Sequence, residues 1–285
     1  MNCYLELGTL NCLAVARLTD HGPVLASSEG KEVLLPRRYA TADMKVGDEV
    51  DVFVHTDSED RIVATTERPK ALLGEVAWME AVDVTPHGAF VDWGLSKDLF
   101  VPRSLQREPM AKGGRYAVMV DYDDRTHRLV GNAKFDKKLA RADAKSLKRN
   151  QAVELLIYAR TDLGFKAVVE RRYDGLLFHS EVFQKLQVGD TVTGYVKFVR
   201  PDGKVDLLSR PIGRAKEKLA DDALLDYLRS HKGMMPLNYK SDPETIKSLL
   251  GLSKKAFKRS LTALQEKGMI EVKENGTFLR KRKRA

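Results

Sequence analysis

Along most of the chain, apolar residues recur at the two-residue period of a half-buried strand. Only near the C-terminus does the period lengthen to that of a helix. Val50, Val52 and Val54 set the strand pattern in one early run. In the run Pro86 to Ser104, Ala89, Val91 and Trp93 fall on one side of a strand and Phe90 and Asp92 on the other, with Gly88 at its start. A glycine-containing turn follows, then a second apolar run, Leu99 to Val101, which Pro102 stops. Ahead of these the pattern predicts strands near Leu7–Arg17, Pro23–Ser27, Val33–Pro36, Glu49–His55 and Arg61–Thr65.

The last segment reads differently. Leu219, Ala223, Leu224 and Leu228 have helical spacing. Asp242 and Pro243 form a cap and first position for a second helix that Gly251 closes. Ser253 caps a third helix, which Lys267-Gly268 ends, and Glu274-Asn275-Gly276 reads as a hairpin turn. Three helices and a hairpin are the winged-helix pattern.

The β part repeats. Gly88, Gly113 and Arg128 have counterparts 66 or 67 residues earlier in Gly22, Gly47 and Arg61, and 76 residues later in Gly164, Gly189 and Lys204. Units of this length can each hold a core, so the chain is not a solenoid. The boundaries that follow are 1–68, 69–135 and 151–213 for three small β domains, 136–150 for a basic, solvated linker or short helix, and 214–285 for the winged helix. The fold class is mainly β with an α+β C-terminal domain.

Charge changes the picture. Residues 1–70 carry 8 Lys and Arg against 12 Asp and Glu, and residues 71–140 carry 10 against 10. Residues 141–213 carry 13 against 9, and residues 214–285 carry 18 against 9. A basic end of this kind suits an anionic partner, most simply nucleic acid. On the third helix Lys254, Lys255, Lys258 and Arg259 fall opposite the apolar side of Ala256, Phe257, Ser260, Leu261 and Leu264, and Arg280 to Arg284 add a basic tail. The two cysteines, Cys3 and Cys12, match no zinc spacing and read as reduced thiols in a cytoplasmic protein. No apolar run approaches the roughly 18 residues of a membrane helix, and no secretory signal is read at the N-terminus. The six histidines are scattered, and no phosphate loop, metal-ligand pair or nucleophile motif occurs, so no catalytic residue, metal or cofactor is expected. Asp121, Asp123 and Asp124 read as a solvated turn.

Gly88-Ala89-Phe90-Val91, the Leu99–Ser104 run and Asp124 to Arg128 together resemble the RNA-binding domain first named in ribosomal protein S-one. Three such units followed by a winged helix resemble the bacterial conserved virulence factor B family. The resemblance implies three tandem five-stranded OB-type barrels. It also implies a binding face that in the second unit carries His87, Phe90, Pro102, Asp124 and Arg128. His87 stands where an aromatic is usual, and Pro102 where a histidine is. Phe100 and Arg103 join the RNA-contacting candidates from the neighbouring run. The third unit offers Leu163, Lys166, Phe178, Arg200 and Lys204, of which Lys166, Phe178, Arg200 and Lys204 are taken as contacts. The first offers His21, Val24, Pro36, Asp57 and Arg61, with no aromatic to stack. Phe90 is thus a stacking platform or a core residue, and stacking suits single strands. The function expected is a non-enzymatic, monomeric single-stranded RNA binder that acts in post-transcriptional regulation. The alternative is a regulator that docks a protein through the barrels and contacts duplex DNA through the winged helix.

Overall fold

The structure is a computed structural model that describes residues 5–59, 61–143, 145–182 and 185–280, the side chains of 214–216 and 219 excepted. It forms two compact units, residues 1–209 and 210–285. The first holds three β modules. Strands β1 (Leu10–Thr19), β2 (Gly22–Ala26), β3 (Glu32–Leu34), β4 (Glu49–Thr56) and β5 (Ile62–Thr65) close a barrel in the order β1-β2-β3-β5-β4. Strands β11 (Ala152–Arg160), β12 (Gly164–Val169), β13 (Tyr173–Phe178), β14 (Thr191–Val199) and β15 (Val205–Leu208) close another in the same order.

The middle module departs from the expected second barrel. Its strands β6 (Val76–Thr85), β7 (Gly88–Asp92), β8 (Leu99–Pro102), β9 (Arg115–Asp123) and β10 (Arg128–Asn132) form one sheet, β10-β9-β6-β7-β8, with β8 and β10 at its edges. The flanking barrels close through a parallel pairing, Leu34 with Val63 and Gly175 with Val205. In the middle module the Val101 carbonyl accepts from the Gln106 side-chain amide at 2.9 Å. The β8 and β10 edges meet through side chains, and a Cβ on Gly131 would lie 2.6 Å from Val101 Cγ2. So the described residues of the first unit form two closed barrels and one five-stranded sheet that is open by hydrogen bonding.

The repeated glycines have a steric cause. A Cβ on Gly22, Gly88 or Gly164 would stand 2.1, 2.4 or 2.3 Å from the carbonyl of Leu35, Val101 or Leu177, because the third strand of each module crosses there. Three residues earlier, Thr19, Thr85 and Thr161 each donate a hydroxyl hydrogen bond to that glycine's carbonyl, at 2.6, 3.0 and 2.9 Å. The later glycines lock a bulge in the first strand: Gly47, Gly113 and Gly189 donate to the Val15, Ala81 and Ile157 carbonyls at 2.7–2.8 Å.

The modules are joined by buried side chains. Val52 and Val54 line the core of the first barrel, but Phe53 between them is also fully buried, in the core of the middle module. Its ring meets Trp93 edge-on at 5.6 Å. The described residues of segment 136–150 contain no α-helix, and its Leu139, Ala142 and Leu147 are buried. Asp136 in it accepts from Tyr158 Oη at 3.1 Å and pairs with Arg107 and Lys166. Burial pushes this carboxyl up, but the neighbouring Arg107 and Lys166 outweigh it and hold it below the usual range.

The second unit contains α1 (Arg214–Ser230), β16 (Met234–Met235), α2 (Pro243–Leu250), α3 (Lys254–Glu266), β17 (Ile270–Lys273) and β18 (Gly276–Leu279). Asp242 caps α2 through the Glu244 and Thr245 amides, Gly251 ends it at φ 64°, and Ser253 caps α3 through the Ala256 amide. Leu224, Leu228, Phe257, Leu261, Leu264 and Ile270 fill its core. The hairpin turn differs from the expected one. Lys273 pairs with Gly276, so Glu274-Asn275 makes the turn and Gly276 belongs to β18. A Cβ there would lie 2.4 Å from the carbonyl of Met235 in β16, the strand that completes a β16-β18-β17 sheet.

Candidate nucleic-acid interface

Phe90 on β7 and Phe100 on β8 are register partners whose rings lie 5.1 Å apart. Both are half-buried, whereas Ala89, Val91 and Val101 on the opposite side of these strands are fully buried. Phe90 is thus not a core residue. The pair lines a cleft of about 780 Å³ together with Pro102, Asp123 and Arg128 of the middle module. Of the expected residues, Phe90, Phe100, Pro102 and Arg128 meet here. His87 is exposed in the β6–β7 turn and Arg103 in the turn after β8, and neither lines the cleft.

Asp124 is also outside it. The residue paired with Arg128 in the ladder is Asp123, because the β9–β10 turn is one residue longer than the Asp57–Arg61 turn of the first barrel. His127 absorbs the extra residue at φ 55°. Asp123 also accepts from the Arg125 amide at 3.0 Å and the Thr126 hydroxyl at 2.8 Å. Asp121 is held by Asn132 at 2.8 Å and Lys138 at 2.5 Å.

The opposite wall comes from the first barrel, through Arg38, His55, Thr56 and Ser58, and from the loop after β7, through Ser96, Lys97 and Asp98. Lys97 donates to the Thr56 and Asp57 carbonyls at 3.0 and 2.7 Å and so fastens the two modules. Burial pushes the Asp98 carboxyl up, helped by Asp92. Burial also pushes the His55 imidazole down, with Lys97 adding to it. Arg38, His55, Thr56 and Ser58 are not among the expected binding positions. They face the aromatic pair because the first barrel docks on the middle module, through Phe53 against Trp93 and through Lys97.

On the third module Lys166, Leu176, Asp206 and Phe198 are successive register partners across β12, β13, β15 and β14. Phe178, two residues after Leu176 on β13 and paired with Gly164, is half-buried, and Phe198, which no motif marked, is 54% exposed. The expected cations are all engaged: Lys166 with Asp136, Arg200 with Asp206 at 2.6 Å, and Lys204 with Asp174 at 3.6 Å. In the winged helix Lys255 and Lys258 are exposed and Lys254 is half-buried. Arg259 does not share their outer face. It pairs with Glu217 at 2.8 Å and Asp221 at 3.5 Å, both on α1. The basic tail beyond Arg280 lies outside the described residues.

Residues 7–67 match an S1 domain, and residues 222–279 match a CvfB-like winged helix domain. Both are nucleic-acid-binding domain types. The chain is 32% identical over 279 residues to the Bacillus subtilis protein YitL, spanning 94% of this chain and 92% of that one. It is 24% identical over 290 residues to conserved virulence factor B of Staphylococcus aureus, spanning 97% and 95%. The chain belongs to the conserved virulence factor B family. Its S1 match falls on the first module, the one whose binding positions lack an aromatic. A crystal structure of a Streptococcus pneumoniae multidomain protein with nucleic acid binding domains is similar at 24% identity and a TM-score of 0.41, covering 96% of this family member.

Proposed function

We propose that this chain is a non-enzymatic single-stranded RNA-binding protein that acts as a post-transcriptional regulator. The observation that carries the reading is the half-buried Phe90–Phe100 pair in a cleft that also holds Arg128 and Arg38. A base stacked on an aromatic ring gains roughly 1–3 kcal/mol whatever its identity, and cations beside it neutralise phosphates. A cleft of this kind takes splayed bases and has no element shaped for a duplex groove. The net +9 of residues 214–285 adds long-range attraction for a polyanion, which the neutral remainder of the chain lacks.

The test is a competition. Labelled single-stranded RNA is bound to the full chain and displaced with unlabelled single-stranded RNA or with duplex DNA of equal length, across a salt series. RNA should compete better, and its affinity should fall with a log–log slope of about −0.7 per phosphate contacted. Better competition by duplex DNA would favour a regulator that reads DNA through the winged helix and docks a protein through the barrels. A flat salt response would rule out the electrostatic part of the mechanism.

A further inference from the structure

The first module has little to offer RNA on its own face. Val24, at the position of Phe90, is buried. Arg61 is held by Asp57 through bonds of 2.8 and 2.7 Å and by Glu59 at 2.8 Å. Yet this module builds one wall of the cleft in front of the second module's aromatic pair. Its Arg38, in the short turn after β3, is exposed, lies 4.6 Å over the Tyr39 ring and donates to Ser96 Oγ at 3.0 Å. Those contacts orient the guanidinium and leave further donors on it. The wall is fixed as well. Lys97 ties the loop after β7 to the Thr56 and Asp57 carbonyls, and the Ser96 amide and Tyr39 hydroxyl share the Glu67 carboxylate at 3.0 and 3.1 Å.

We infer that the first and second modules bind one stretch of RNA together, with a base on the Phe90–Phe100 surface and a backbone phosphate on Arg38. The inference rests on the RNA-binding reading above. In it the first module is the phosphate-binding wall of its neighbour's site and not a separate reader. The walls are held by Lys97 and the Phe53–Trp93 contact, so the strand meets a preorganised site and the cost of ordering the two modules on binding is reduced.

The experiment measures the affinity of the full chain for an unstructured RNA of about 12 nucleotides, a length that spans a single-stranded site, over a salt series. The proteins are the wild type, R38A, R38K, R37A and F90A. Arg38 is exposed, so R38A should keep the wild-type thermal midpoint. It should bind roughly 3–10-fold more weakly, with the log–log salt slope smaller by about 0.7, one phosphate contact. R38K keeps the charge and should restore the slope. R37A removes an exposed neighbour that does not line the cleft and should leave the slope unchanged. If R38A keeps the wild-type slope while F90A weakens binding, the second module binds alone and the shared cleft is wrong. If neither variant weakens binding, the RNA-binding reading itself fails.

Discussion

The ring of Phe100 lies over Gly88, its edge carbons 2.7 Å from the point where a Cβ on that glycine would stand. The glycine therefore does two things: it lets β8 cross close to β7, and it makes room for half of the aromatic surface. G88A should push the Phe100 ring aside and press on the Val101 carbonyl, a backbone atom that cannot yield cheaply. A stability loss of roughly 1–3 kcal/mol is expected, read as a lower urea midpoint, with weaker RNA binding beside it. An unchanged midpoint would show that the crossing is looser than described.

Phe90 and Phe53 separate a binding aromatic from a structural one. F90A removes a half-buried ring and should weaken single-stranded RNA binding by roughly 1–3 kcal/mol while the protein stays folded. F53A removes a fully buried ring at the joint of the first two modules. It should cost about 3–5 kcal/mol of stability. Calorimetry on both variants, with RNA affinity measured for F90A, tests this. Unfolding of F90A with its affinity intact would make Phe90 a core residue.

The glycine stations, the caps of α2 and α3 and the outward side of β7 were legible because each depends on a local rule. The Thr19, Thr85 and Thr161 stations were equally visible at the same offsets and mark the same turn. Other features depend on residues far apart in sequence. Closure of a module turns on whether its third and fifth strands pair, and the Gln106 bond to Val101 leaves no periodic trace. Phe53 breaks the alternation of β4 because a neighbouring module covers its second side. Arg38 reaches the cleft through that docking. Asp123 takes the position expected of Asp124 because one added turn residue shifts the register.

His55 gives a pH dependence. It is 4% exposed, lines the cleft, and lies with Nδ1 3.2 Å from the Thr56 carbonyl. Burial lowers its folded-state pKa below the ordinary value of about 6.5. Between the two values the unfolded chain binds more protons than the folded one, so stability rises with pH there. The stability is complete above about pH 6.5 and falls as the solution is acidified through and below that value. In H55Q the thermal midpoint should lose much of its drop between about pH 7 and pH 5. An identical drop in wild type and variant would assign the acid sensitivity to other groups.

The winged helix carries cations of two kinds on α3. Helical spacing alone puts Arg259 beside Lys255 and Lys258, but α1 packs along that flank and presents Glu217 and Asp221. The Asp221 side chain is only 12% exposed and shares its other oxygen with Lys267 at 3.4 Å. R259A would leave that carboxylate with one exposed lysine as its partner, and should destabilise the domain by about 1–3 kcal/mol. The pair K255E and K258E changes exposed positions and should alter stability by less than about 0.5 kcal/mol at each. Its effect should lie in kinetics: long-range attraction falls, so single-stranded RNA should associate more slowly at low salt while dissociation changes little. Stopped-flow association with the full chain, paired with thermal melting, separates the two roles. If the lysine reversals leave association at the wild-type rate, α3 does not gather RNA, and its basic face serves duplex DNA or a protein partner.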